Sequence, residues 1–295
     1  MTNDNRGWDF GNPHLYSIII LAHNKSSYTR ACLESLLSAG VHGVQVLALD
    51  NGSSDETWQM LKGLAPSFSE SGGELVTIRH ERNIGCSTAR NECMARAKGQ
   101  YIVFLDNDTL VWDPKWLQKM SDVLRSEPRA RIVGPKICYP FEPHPIQCAG
   151  VGISKSGRVQ FRGRGEPRNS ARFAGREKVQ AVISACMMFD SDLAKEIGGL
   201  DEIFNPIQYE DLDFCYRARS RGYRVIYTPD PEVYHWESIT SEGTAALPNK
   251  YLIVKHGAIF KRRWRHMFEK EQGPSDADTK WKVIEMPSLQ GRRKR

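Results

Sequence analysis

Two carboxylates, Asp106 and Asp108, flank Asn107 directly after the apolar run Tyr101–Leu105. Such a pair on a tight turn can share one divalent cation. Hard cations such as Mg²⁺ and Mn²⁺ take oxygen ligands and bridge to phosphates. An Asx-rich turn without a metal has the same spelling. His235, downstream of Pro229-Asp230-Pro231, offers a third ligand. A half-buried histidine with its own partners is the plainer reading. Glu210-Asp211-Leu212-Asp213 opens a helical stretch. Acids in a first turn suit the helix dipole. Three in four residues also repel one another, which raises a pKa and suits a general base. Asp211 is placed to take a proton from an acceptor hydroxyl. Asp50, at the end of the apolar run 44–49, either accepts from a nucleobase or ribose or caps the turn at Ser53-Ser54.

These residues need a scaffold, and the spacing predicts one. Strands are expected at residues 16–22, 44–49, 75–80 and 101–105. Helices are expected at 25–39, from the capping box Ser53-Ser54-Asp55-Glu56 through Leu61, at 86–98, and after Asp113-Pro114. Alternating strands and helices predict an α/β fold with a doubly wound, mostly parallel sheet and helices on both faces. Ligands of such sheets bind beyond the carboxyl ends of the strands. There lie Ala22-His23-Asn24, Asp50-Asn51-Gly52-Ser53 and Asp106-Asn107-Asp108. Residues 150–178 interleave six glycines with six arginines and read as irregular or hairpin structure, either a mobile lid over the ligands or a solvated loop. Its arginines could meet an acceptor's phosphate. Strands at 182–189 and 223–227 and helices at 191–197 and 210–221 complete the pattern.

The chain has 295 residues and a formal net charge of +6, from 41 Lys and Arg against 35 Asp and Glu. Residues 255–295 hold 12 of those bases and 5 of those acids, leaving 29 and 30 for residues 1–254. The basicity is therefore terminal, unlike that of a protein that wraps nucleic acid, and no nucleic-acid partner is expected. No apolar run approaches the roughly 20 residues that span a bilayer. The polar start, Met1-Thr2-Asn3-Asp4, shows no signal-peptide pattern. Seven scattered cysteines without a C-x-x-C pair suggest reduced thiols and a cytoplasmic setting. In the stretch 260–268, Phe260, Trp264, Met267 and Phe268 share one helical face, with Lys261, Arg262 and Arg265 off it. That helix either lies on an anionic membrane surface or caps the core with a basic outer face. Arg292-Arg293-Lys294-Arg295 reads as a solvated charge run.

Taken together the motifs resemble the inverting family 2 glycosyltransferases of GT-A fold, closest to the rhamnosyltransferase-like branch. The resemblance covers about residues 16–238. It rests on Ser17-Ile18-Ile19-Ile20-Leu21-Ala22-His23-Asn24, on Leu49-Asp50 through Thr57, and on Arg82-Asn83-Ile84-Gly85 leading to Ala89-Arg90-Asn91. It rests also on Phe104-Leu105-Asp106-Asn107-Asp108, Gly199-Leu200-Asp201-Glu202, the run from Tyr209 to Arg217, and His235. One departure is visible: the family commonly has Pro-Thr-Tyr-Asn where this chain has Leu21-Ala22-His23-Asn24.

The resemblance implies a hexosyltransferase in polysaccharide biosynthesis. Ala22, Asn24 and Asp50 would line the nucleoside pocket, and Asn83, Gly85 and Arg90 would shape its floor. Asp106 and Asp108 would hold Mn²⁺ or Mg²⁺ on the diphosphate, Asn107 beside them and His235 as a further ligand. Asp211 would be the catalytic base and Glu210 an acceptor contact. The donor would be a UDP- or dTDP-sugar and the acceptor a saccharide or a lipid-linked glycan. The implied organisation is a tail at 1–14, a domain at 15–240 with a nucleotide-binding half (15–110) and an acceptor half (111–240), and a basic extension at 241–295. The extension could make a peripheral membrane contact at the inner face of the cell membrane. A sugar nucleotidyltransferase would show a glycine-rich loop after the first strand, where this chain has Ala22-His23-Asn24-Lys25-Ser26-Ser27. A non-catalytic nucleotide-binding module would leave Glu210–Asp213 and His235 without a role.

Overall fold

The computed structural model describes residues 14–237 and 247–284. Most of the expected N-terminal tail and the charge run 292–295 lie outside the described residues. The N-terminal part contains β1 (Tyr16–Ala22), α1 (Ser26–Ala39), β2 (Val44–Asn51), α2 (Thr57–Glu70), β3 (Glu74–His80), α3 (Cys86–Arg96), β4 (Tyr101–Leu105) and β5 (Thr109–Leu110). Next come α4 (Trp116–Ser126), β6 (Ala130–Cys138), β7 (Ile146–Cys148), β8 (Val151–Ile153), β9 (Val159–Phe161) and β10 (Glu177–Val179). The rest is β11 (Cys186–Asp190), α5 (Ser191–Ile197), α6 (Glu210–Ser220), β12 (Arg224–His235) and α7 (Leu247–Phe268).

The main sheet runs β10-β12-β6-β11-β4-β1-β2-β3, with β5 on β12 and β7 on β6. β3, β2, β1 and β4 are mutually parallel, β11 runs against β4 and β6, and β12 is parallel to β6. The sheet is thus mixed but mostly parallel, as expected. Every residue of β2 and β4 is buried, as happens when both sheet faces are covered. The chain leaves β1 toward β2 on one side and returns as β4 on the other. The strand order therefore reverses between β1 and β4, where doubly wound sheets open a crevice.

Several expectations change. The capping box does not form: Asp55 accepts from the Thr57 N–H (3.0 Å), Glu56 takes the Ser26 hydroxyl, and α2 runs on to Glu70. The strand expected from residue 182 starts at Cys186. β6 was not foreseen, because Gly134-Pro135 interrupts its apolar pattern. β12 does not stop at residue 227. It crosses Pro229 and Pro231 in a bulge, the register jumping from Thr228↔Pro135 to Glu232↔Lys136. A bulge leaves residues unpaired, so prolines without an N–H are tolerated there. Residues 150–178 contain the β8–β9 hairpin and the start of β10, with four of their six arginines tied down: Arg162 to Glu177, Arg164 to Glu237, Arg168 to Glu232 and Arg172 to Glu166.

α7 is docked, not appended. Phe260, Trp264 and Phe268 are buried, Phe260 and Trp264 against Tyr216 of α6, and Met267 is half-buried on the core. The apolar face considered for a membrane is therefore occupied by the chain itself, and the core-capping reading holds. No described helix is long and apolar enough to cross a membrane.

Candidate active site

The rim beyond β1, β2 and β4 is tied together by its own turns. The Asn24 N–H donates to Ser53 Oγ (2.8 Å), and Asn24 Oδ1 accepts the Ser54 N–H (2.8 Å). His23 Nδ1 lies 2.9 Å from the Asn51 carbonyl. Asn51 Nδ2 donates to Asn83 Oδ1 (3.1 Å), and Asn51 Oδ1 accepts the Ile84 N–H (2.9 Å). Gly52, at φ 83°, permits this approach, since a Cβ there would sit 2.6 Å from the Arg82 and Asn83 backbone.

β12 brings the metal-type ligands together. His235 pairs in register with Thr109, and the Trp236 N–H donates to the Asp108 carbonyl (3.0 Å). His235 Nε2 then lies 3.1 Å from Asp108 Oδ1 and 3.7 Å from Asp106 Oδ2. One ligand atom from each of Asp106, Asp108 and His235 falls within 4.8 Å of the others. Two carboxylate oxygens and an imidazole nitrogen suit Mn²⁺ or Mg²⁺, with positions left for phosphate oxygens. Burial works to lower the His235 pKa, but Asp108 and Asp106 outweigh it and push it up to about 9. On its far side, His235 Nδ1 lies 2.6 Å from Gln147 Oε1, while Gln147 Nε2 donates to the His235 carbonyl (3.1 Å).

Facing the triad are the acids of α6. Glu210 is 5% exposed, and its Oε2 has no hydrogen-bond partner. Burial, then the neighbouring Asp211 charge, raises its pKa to about 7 against the pull of Arg90. Asp211 Oδ2 accepts the Ser184 N–H (3.0 Å) and Oδ1 its neighbour's N–H at Leu212 (2.7 Å). Burial raises its pKa too, opposed by those two donors. Arg90, 3% exposed, donates to Asp106 Oδ1 (2.8 Å) and lies 3.5 Å from Glu210 Oε1. It thus links the metal-type carboxylates to the α6 acids. Asp213 turns away: it is fully buried and holds Arg217, Arg263 and the Trp264 N–H, each at 2.8 Å. The residues before α6 are buttressed by α7. Gln208 and Tyr209 adopt φ of 85° and 74°, while His256 Nδ1 lies 2.9 Å from the Ile207 carbonyl and Tyr209 packs on Phe260.

Asp106, Asp108, His235, Arg90, Glu210 and Asp211 border one cavity of about 700 Å³, within the range of ligand sites. Of the residues singled out from sequence, Ala22, Asn83, Arg90, Asp106, Asn107, Asp108, His235, Glu210 and Asp211 line it. Asp50, Asn24 and Gly85 do not. Asp50 is fully buried behind Asn51, with Oδ1 on the Ser53 N–H (2.9 Å) and Oδ2 3.7 Å from Arg79 but without a hydrogen-bond partner. The adjoining Asn51 faces the cavity instead. Asn24 is engaged by Ser53 and Ser54, and Gly85 starts α3 at φ 89° against the Asn205 side chain. Asn107 borders the cavity, but its amide donates to Thr29 Oγ1 (2.8 Å). His23, Asn51 and Gln147 also line the cavity. The first two belong to the rim segments Ala22-His23-Asn24 and Asp50-Asn51. Gln147 carries no motif.

The model of Glycosyl transferase family 2 matches residues 17–198. The chain is 29% identical over 269 residues to y4gI, an uncharacterised protein of Sinorhizobium fredii, covering 88% of this chain but only 28% of that protein's length. It is 24% identical over 262 residues to an N-acetylglucosaminyl-diphospho-decaprenol L-rhamnosyltransferase of Mycobacterium tuberculosis, covering 82% of each. Among solved structures, the mannosyltransferase PcManGT from Pyrobaculum calidifontis, in complex with GDP-Man and Mn²⁺, superposes with a TM-score of 0.60 at 14% identity, over 88% of this chain and 66% of that one. This likeness shows the GT-A fold, and the family match covers more than half of the chain. The chain belongs to glycosyltransferase family 2.

Proposed function

We propose that the chain is a metal-dependent inverting glycosyltransferase that moves a sugar from a UDP- or dTDP-sugar to a hydroxyl of a glycan or lipid-linked acceptor. One observation carries the reading: the Asp106, Asp108 and His235 cluster faces Glu210 and Asp211 across one cavity, with Arg90 between them. The rhamnosyltransferase relative is named for a diphospho-decaprenol acceptor, and the mannosyltransferase holds a nucleotide sugar with Mn²⁺. Both support the substrate classes.

Mn²⁺ or Mg²⁺ held by the triad would neutralise the charge that develops on the diphosphate leaving group. His23, Asn51 and Asn83 bind the nucleoside side of the donor, with Asp50, Asn24 and Gly85 shaping their turns from behind. Asp211, fixed by two backbone N–H groups, takes the proton of the incoming hydroxyl. The hydroxyl attacks from the face opposite the diphosphate and inverts the anomeric centre, with no covalent intermediate. Glu210 orients the acceptor. A lipid-linked acceptor would be met at the cytoplasmic face of the membrane.

A specific observation favours a second assignment of the base. Glu210 has an unpartnered oxygen and a pKa near the operating pH, both suited to proton transfer. The test is a thermal-shift screen of UDP- and dTDP-sugars with and without Mn²⁺, then transfer assays with Asp211→Asn and Glu210→Gln. The correct donor stabilises the fold only with metal. Asp211→Asn loses about 10²-fold or more in transfer while keeping donor binding. Near-normal transfer by Asp211→Asn, with loss in Glu210→Gln, moves the base to Glu210. No metal-dependent stabilisation by any of these sugars sinks the donor class.

A further inference from the structure

Arg158 stands apart from the arginines of the 150–178 segment that are ion-paired. It makes no ion pair among the described residues and sits exposed at the wall of the cavity. A second cation joins it there. Lys261 of α7 is half-buried, lines the same cavity and also lacks an ion pair among the described residues. Gly157 brings the two together. It turns at φ 79°, and a Cβ at that position would come within 2.8 Å of Lys261 Cγ and 2.9 Å of Phe268 Cζ. The lysine stem therefore lies flat against the turn that carries Arg158. Asp276 is the acid whose field involves both cations. It accepts the Ser156 hydroxyl (2.7 Å) and forms no ion pair with either. Two cations without an ion pair on one cavity wall make the potential there positive and favour an anion.

The wall next to them is apolar. Val159 and Phe161 of β9, Ile253 of α7 and Trp281 border the cavity, and Trp281 is 44% exposed. Arg164 lies 3.9 Å from the indole ring centre and Phe161 packs edge-on to it, and the part of the ring still exposed offers an apolar contact surface.

We propose that Arg158 and Lys261 form the anion subsite for the acceptor, holding a phosphate borne on an apolar chain that rests against Val159, Phe161, Ile253 and Trp281. The identity of that ligand as the acceptor rests on the glycosyltransferase reading; the subsite does not.

The test is calorimetric titration of the full chain with geranyl diphosphate in EDTA, without any sugar nucleotide. Geraniol and inorganic pyrophosphate separate the apolar and anionic parts. The expected result is binding by the wild type, weakened by about tenfold or more in the double variant Arg158→Gln, Lys261→Gln, whose melting temperature stays near wild type. Geraniol and pyrophosphate each bind more weakly than geranyl diphosphate. Absence of binding by the wild type, or equal binding by the folded double variant, overturns the subsite. Equal binding of pyrophosphate and geranyl diphosphate overturns the apolar chain. Because metal and donor are absent, failure of metal-dependent donor binding leaves this titration unaffected, and the two failures are distinguishable.

Discussion

Gln147 governs which nitrogen of His235 faces the carboxylates. Its Nε2 can only donate to the His235 carbonyl, so its Oε1 must accept, and the Nδ1 beside it must carry a proton. Nε2 is then the nitrogen left for a cation between Asp106 and Asp108. Partners of this kind are worth about 10–100-fold in metal affinity. Gln147→Leu is therefore expected to weaken Mn²⁺ binding by about that factor, read by the EPR signal of free Mn²⁺; unchanged affinity would show that the amide does not orient the ring. Nothing in the sequence announces Gln147, which sits on a three-residue strand after a turn without periodicity. Asp106, Asp108 and Glu210 were legible because acids after an apolar strand or at a helix start are unusual in type and place. Asp50 is ambiguous for the converse reason. A carboxylate at a strand end can face the cavity or its own turn, and only the Ser53 and Arg79 contacts tell which.

At the scale of elements, the parallel half of the sheet was readable because each strand is a compact apolar run closed by turn residues. β6 and the far half of β12 were not, since Pro135, Pro229 and Pro231 look like strand breakers until the bulge that accommodates them is seen. That extension of β12 is what delivers His235. α7 illustrates a different limit. Its apolar face was visible, but what covers it depends on α6, more than thirty residues earlier. The Trp264 ring packs on Tyr216, and its N–H meets buried Asp213. Trp264→Ala removes both packing and a donor to a buried carboxylate. It is expected to destabilise the fold by about 3 kcal/mol or more, measured by urea unfolding. A loss below about 1 kcal/mol would mean that α7 is only loosely docked.

At the scale of the whole molecule, Glu210 leaves a signature in stability against pH. The folded chain holds its proton up to about pH 7, whereas an unfolded carboxyl releases it near 4.5. Between those values the folded state binds more protons, so the stability this group contributes is full below about 4.5 and is lost as pH rises toward 7. Glu210→Gln stays neutral throughout. Its melting temperature is expected to gain on the wild type steadily from pH 4.5 to 7.5. Parallel curves would show that the carboxyl titrates normally. The net charge of +6 also takes on a different meaning at this scale. The basic C-terminal stretch is no separate appendage, since Arg263 closes on Asp213 and Asp201 and Lys261 walls the cavity. Arg164 draws these distant parts into one joint. Its guanidinium grips both oxygens of Glu237, lies 3.9 Å from the Trp281 ring centre and donates to the Lys282 carbonyl (2.8 Å). A ribosome must therefore deliver more than a hundred further residues after Arg164 before that joint can close. The sheet and its acidic cluster can assemble on the nascent chain before residues 281 and 282 emerge, but the cavity wall that Trp281 forms is completed only after them.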